Sequence, residues 1–412
     1  MNGARLPLAG IRVIDLSRVL AGPVCGALLG DMGADVIKVE DVEGGDESRH
    51  WAPQREGHSP VYVANNRNKR SIAVDLKAPV QLVAPEGRDI VAALIDTADV
   101  LIENFGTGAM ERLGLGYDTL AARNPRLVYC SIAAFGRQGP RADEAGYEAL
   151  MQAFSGVMSI TGEPGRPPVR CGVSALDIFT GTLAGFAVSN AILMRQTSGV
   201  GQRLDASLFD SAVGLLNFQA QNYLLCGQKP APMGSAHPSL VPYQCFLCHD
   251  HRWIFVAAGN DRLWRRLATA IGQPDLADDP RFLRNIDRVA HRRELLKLLD
   301  GCFASLPLED ALERCRQAGV PAAPVNSVAQ ALADPQAAQL AALRPMAHPD
   351  LGEIEVVGLP VAFSAIPAMP CAPAPAHGAD TQAILRDLGM DGDTYEALRL
   401  RRVLKGSPRD GT

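Results

Sequence analysis

The chain has 412 residues, 47% of them hydrophobic and 21% charged, with a formal net charge of -5. This is the composition of a soluble globular protein with room for more than one domain. It offers no basic surplus, which argues against nucleic acid as a partner, because such binding draws on counterion release by cations.

In chain order, residues 11–16 read as a strand, interrupted for any signal-peptide reading by Arg12 and Asp15. Gly22 and Pro23 then open a small-residue helix to Met32. Further strand-like runs lie at 35–40, 71–75, 100–103, 127–131 and 203–208, with helical segments such as 87–97 between them. Apolar strands separated by helices indicate an α/β fold, a parallel sheet covered by helices. The most apolar stretch, 176–194, contains Asp177, Thr180, Thr182, Ser189 and Asn190, so it reads as a buried core helix rather than a membrane span.

The composition changes after about Leu225. Residues 228–242 are rich in Pro, Gly and Ser. Runs 244–247 and 253–257 flank a polar turn and predict a hairpin, and helices are expected at 262–271, 292–305 and 308–318. This is a second, smaller α+β domain. The expected division is a large domain over 1–225, a small one over 226–330, and a return to the large one over 331–412. The last part has a helical start near 331–343, a strand at 351–356, a Pro/Ala-rich crossing at 366–377 and terminal helices at 381–388 and 393–402.

Several motifs carry chemistry or fail to. The glycine-rich dinucleotide fingerprint is absent after the first strand, which argues against an NAD-dependent oxidoreductase. Cys245-Phe-Leu-Cys248-His249 matches a covalent haem motif, but no export signal accompanies it and no second ligand pair stands near for zinc. No metal site is expected. The nine cysteines are scattered and odd in number, as in a cytoplasmic protein with reduced thiols. The basic loop Asn65–Ser71 and Arg112 read either as solvated loop residues or as a phosphate clamp near strand ends. Asp177 heads the apolar run. It reads either as an N-cap or as a carboxylate kept for chemistry, since burying one is costly.

Together these segments resemble the family III CoA-transferases (CaiB/BaiF type) over nearly the whole chain. The resemblance rests on Gly10-Ile-Arg-Val-Ile-Asp-Leu-Ser17, Leu20-Ala-Gly-Pro23, Asp31-Met-Gly-Ala-Asp-Val-Ile-Lys-Val-Glu40 and Asn66-Arg-Asn-Lys-Arg-Ser-Ile72. It continues through Ala98-Asp-Val-Leu-Ile-Glu-Asn-Phe105, Ala145-Gly-Tyr-Glu148 and Ser155-Gly-Val-Met-Ser-Ile-Thr-Gly162. It implies an obligate homodimer of interlocked rings, with a large domain built from both chain ends and a small domain from the middle. It also implies a catalytic Asp177 with Glu148 beside it, and acyl-CoA as a substrate without a permanently bound cofactor. The implied CoA contacts are Val74, Asp75, Leu76, Lys77, Asn104, Phe105, Gly106, Arg112, Ala145, Gly146 and Tyr147.

Three departures stand out. Asp41 replaces a family arginine near the adenine, the glycine-rich loop over the active site has no counterpart, and 80–85 reads as an insertion. The segment from Met233 to Gln244 resembles the branch acting on succinyl-CoA and glutarate. His237, Ser239, Tyr243 and Arg170 are its candidates for a substrate's second carboxylate. The leading expectation is transfer of CoA from a donor such as succinyl-CoA to a small carboxylic acid, through aspartyl anhydride and aspartyl-CoA thioester intermediates. The alternatives are a 2-methylacyl-CoA racemase and a non-catalytic acyl-CoA-binding protein. Tyr147 stands where racemase relatives carry histidine, and an ordinary tyrosine is a poor base at neutral pH.

Overall fold

The computed structural model describes residues 6–76, 86–366 and 369–406. Lys77 and the expected insertion at 80–85 lie outside them. The chain divides into two compact units. One comprises Met1–Ser155, Cys171–Ala220 and Ala338–Thr412; the other comprises Gly156–Arg170 and Gln221–Ala337.

The first unit is built on six strands: β1 (Arg12–Asp15), β2 (Asp35–Glu40), β3 (Lys69–Ala73), β4 (Val100–Glu103), β5 (Val128–Ala133) and β6 (Gln202–Ser207). All pair in parallel, in the order β3-β2-β1-β4-β5-β6. Val13, Ile14, Val100, Leu101, Ile102 and Val128 are fully buried, as strands covered on both faces require. The order reverses between β1 and β4, so the loops after those strands part and leave a crevice at their carboxyl ends. This is the doubly wound order of dinucleotide-binding sheets, formed here without the glycine fingerprint. β3 starts two residues earlier than the sequence suggests, directly after Asn68 with its φ of 60°.

The chain's C-terminal part packs on the same sheet. Ile384, Leu385, Tyr395 and Leu398 join its core, and the Asp75 amide donates to the Val403 carbonyl at 2.9 Å. A two-stranded antiparallel ribbon, β10 (Leu343–His348) with β11 (Gly352–Val357), precedes them. The sequence reading has β11 but takes 343 as helical, because Pro345 hides the edge strand β10.

The helix Ala175–Ser198 is long and apolar enough to cross a bilayer. One stripe of it, including Leu176, Thr180, Ala184, Val188 and Ala191, is buried. Its first turns lie directly on the helix Ala21–Asp31: a Cβ on Gly181 would sit 2.4 Å from the Ala21 carbonyl oxygen. Only glycine permits that approach.

The second unit has a three-stranded antiparallel sheet of β7 (Tyr243–Leu247), β8 (Trp253–Ala257) and β9 (Ala322–Pro324). β9 carries Ala and Pro, so its sequence lacks a strand signature. Phe246, Trp264, Phe282, Leu295, Leu299 and Phe303 form the core. Gly156–Arg170, which the sequence reading keeps with the first part of the chain, belongs here; Gly234 N donates to Gly162 O at 2.8 Å.

Candidate active site

A cleft of about 350 Å³ opens at the crevice between the β1 and β4 loops and reaches Asp177. Asp177 stands in the first turn of Ala175–Ser198, with Ser174 at the N-cap, so it does not cap the helix. It is 8% exposed, and among the described residues no hydrogen-bond donor or cation meets its carboxylate. Burial and the negative charge of Glu148 push its pKa up to about 7.

Glu148, also 8% exposed, opens the helix Glu148–Phe154. Its Oε1 accepts from the Gln152 side-chain amide and from the Leu176 amide at 3.4 Å. Fully buried Gln152 in turn accepts from Cys171 N at 2.8 Å. Gln152 therefore ties Glu148 to the segment that leads into the Asp177 helix. The sequence reading missed it, although its i+4 spacing from Glu148 places both on one helix face.

The β1 loop is held from beneath by buried charges. Lys38 pairs with Asp46 at 2.9 Å and donates to the Ser17 carbonyl at 2.9 Å. Asp46 accepts from Val19 N at 3.2 Å. Burial opposes the charge on Lys38, but Asp46, Asp15 and Glu40 outweigh it and raise its pKa. Val19, in the cleft wall, is held at φ 71°, a strained conformation for a β-branched residue. The β4 loop is joined to it reciprocally: Arg18 N donates to Asn104 Oδ1 at 2.9 Å and Asn104 Nδ2 donates to Arg18 O at 2.7 Å.

The fold thus brings Asn104, Phe105, Gly106, Ala145, Gly146, Tyr147, Glu148 and Asp177 around one cleft. Val74, Asp75 and Leu76 follow β3 two strands from β1, and Arg112 ends the short helix Ala109–Arg112; none of these four lines the cleft. Arg170, His237, Ser239 and Tyr243 belong to the second unit. There His237 Nδ1 accepts from Ser239 N at 3.1 Å, and the His237 and Tyr243 rings meet edge to face with centroids 5.5 Å apart. Arg292 donates to the His237 carbonyl at 2.7 Å. Asp41, at the departure from the family pattern, starts the turn after β2 and accepts from Gly45 N at 3.0 Å. In the haem-like motif, Cys245 lies within β7 and is half-buried, while Cys248 follows the strand and is buried. The one metal-capable grouping among the described residues is His58, His348 and Asp350, elsewhere in the first unit. His348 Nδ1 there already accepts from two backbone amides.

The family model for CoA-transferase family III matches residues 8–381. The chain belongs to this family. The transferase is 42% identical to a succinate–glutarate CoA-transferase of Agrobacterium fabrum, over 94% of this chain and 97% of that protein. It is 38% identical to human succinyl-CoA:glutarate CoA-transferase, over 94% of this chain and 87% of that protein. The crystal structure of a CaiB/BaiF family protein from Brucella suis superposes with a TM-score of 0.81 at 40% identity, over 93% of this chain and 99% of that one. Sequence reasoning also passed over Arg18, Glu47, Thr107 and Arg137 in the transferase's cleft. No local pattern marks them, because four separate loops deliver them.

Proposed function

We propose that this transferase moves CoA from succinyl-CoA to a small carboxylic acid, glutarate or a similar dicarboxylate, through covalent intermediates on Asp177. The observation that carries the reading is the buried, unpaired Asp177 carboxylate beside Glu148 at the end of an open cleft. A carboxylate with a pKa near 7 is more basic, and so more nucleophilic, than an ordinary aspartate, yet is still substantially ionised at neutral pH.

Asp177 attacks the thioester carbonyl. The C–S bond breaks, a mixed anhydride forms and CoA leaves as thiolate. The thiolate attacks the aspartyl carbonyl, giving an aspartyl-CoA thioester and the free donor acid. The acceptor carboxylate attacks that thioester, re-forming an anhydride and releasing thiolate. Attack of the thiolate on the acceptor's carbonyl gives the new acyl-CoA and restores Asp177. Glu148, held by Gln152, orients these intermediates. Asn104–Gly106 and Ala145–Tyr147 contact CoA within the cleft, and Arg112 and residues 74–76 contact it beyond the rim; Lys77 is proposed as a further CoA contact.

The two sequence relatives, named for succinate or succinyl-CoA and glutarate, support the choice of substrates. His237, Ser239, Tyr243 and Arg170 are proposed to meet the second carboxylate. We further propose an interlocked homodimer working in the cytoplasm. Phe186, Leu193 and Met194, exposed on the Asp177 helix, support a partner surface there.

The test is a mass-spectrometric exchange assay with succinyl-CoA and a panel of mono- and dicarboxylates. Hydroxylamine added during turnover should convert Asp177 to its hydroxamate in the wild type. Asp177→Ala should bind CoA without transferring it; retained turnover in that variant defeats the mechanism.

A further inference from the structure

The cleft that reaches Asp177 is rich in acid. Glu47, Asp143, Glu144, Glu148 and Asp177 line it, against two cations, Arg18 and Arg137; Glu144 is already paired with Arg141 at 2.8 Å, which leaves four acids without a cation partner among the described residues. Arg137 is committed elsewhere: it donates to Glu103 at 2.8 Å, to Ser131 Oγ at 2.6 Å and to the Phe105 carbonyl at 2.7 Å. Arg18 is not. Its side chain makes no ion pair among the described residues, and its guanidinium lies over the Phe105 ring, 5.1 Å from the centroid. Its backbone is anchored by the reciprocal bonds to Asn104, so an exposed but rooted cation stands at the cleft.

An acyl-CoA carries phosphates, and a dicarboxylic acyl group adds a distal carboxylate. Such a substrate meets repulsion from the acidic wall, and the guanidinium of Arg18 is the uncommitted cation there that offsets it. Its planar donors match an oxyanion. We propose that Arg18 is a substrate-binding residue of this transferase, holding an oxyanion of the acyl-CoA at the cleft: its distal carboxylate or a CoA phosphate. The proposal rests on the transferase reading above. A purely structural Arg18 would serve only to cover Phe105.

The test compares wild type, Arg18→Gln and Arg18→Lys as full-length protein, with calorimetric Kd for CoA and for pantetheine and KM for succinyl-CoA and butyryl-CoA. If Arg18 holds the distal carboxylate, Arg18→Gln raises KM for succinyl-CoA about 10- to 100-fold and leaves butyryl-CoA and CoA within about twofold. If it holds a phosphate, Kd for CoA and both KM values rise together by about that factor, and pantetheine is unaffected. In either case Arg18→Lys recovers part of the loss, which a covering role for Phe105 does not predict. Values for CoA and both acyl-CoAs all within about twofold of wild type in Arg18→Gln overturn the proposal. A wild type that binds CoA but exchanges it with no acid defeats the transferase reading instead. The CoA Kd arm still decides for or against a phosphate contact in that case.

Discussion

At Asp177 two unfavourable effects meet: burial and the neighbouring Glu148 charge, which together raise its pKa to about 7. In the proposed mechanism Asp177 must be ionised to attack, so kcat/KM is expected to rise with pH and level off above about 7. Glu148→Gln should move that midpoint down, because one of the two causes is gone; pH–rate profiles of both proteins check it. The same shift has a stability cost. Between the ordinary aspartate pKa and about 7 the folded state binds more protons than the unfolded one, so stability falls as pH rises through that window. Above pH 7 Asp177→Asn should therefore be more stable than wild type by on the order of 2 kcal/mol and melt at a higher temperature. The difference should vanish below about pH 4. Equal melting temperatures at pH 8 would contradict the assigned environment. Gln152→Leu should lower kcat about tenfold and alter the acid limb, since Glu148 loses its tether; a profile identical to wild type would show Gln152 to be structural only. Tyr147 is 65% exposed at the cleft. The cleft presents this phenol at the position expected to hold a racemase's histidine, so incubation of (2R)-methylacyl-CoA in D₂O should leave the α-position unlabelled. Rapid enzyme-dependent deuterium uptake with no CoA exchange would favour racemisation.

At the scale of elements, the β1 loop depends on a buried ion pair. Lys38 and Asp46 are essentially inaccessible, and Asp46 also holds the strained Val19. Removing one partner leaves a buried charge, so Lys38→Met should destabilise by about 3–5 kcal/mol. Adding Asp46→Leu should restore much of that loss while leaving turnover low, because Val19 loses its anchor. Urea unfolding and turnover of the single and double variants test this; a double variant with full activity would show that Val19 needs no anchor. The contact between the helices Ala21–Asp31 and Ala175–Ser198 is similarly intolerant. Gly181→Val should cost about 1–3 kcal/mol by overpacking and displace the turn bearing Asp177.

At the scale of the whole molecule, the proposed interlocked dimer makes one further demand. If chains are threaded, folding and association are one event, and the midpoint of urea unfolding should rise with protein concentration. Analytical ultracentrifugation should find a dimer at every dilution short of unfolding. A folded monomer in reversible exchange would exclude the interlock and leave the exposed apolar residues of the Asp177 helix to another partner.

The sequence by itself determined the family and most local elements, though not β9 or β10. β1, β2, β4 and β5 carry buried apolar runs, β6 is polar and only partly buried, and the alternation of strands with helices implies a parallel sheet whatever its order. As candidates, Glu148 was legible in Ala145-Gly-Tyr-Glu148 and Asp177 as a carboxylate heading an apolar run. Tertiary structure alone decided the rest. The reversal between β1 and β4 is a matter of long-range pairing, and no local pattern encodes it. Arg18, Glu47 and Arg137 reach one cleft from loops far apart in sequence, so none carried a signal by itself. Gln152 had a local signal, its spacing from Glu148, but its partner Cys171 N lies 19 residues on. Lys38 was in plain view in an apolar run; its meaning depended on Asp46 and Ser17 closing around it, because a buried charge becomes tolerable only when folding delivers its partners.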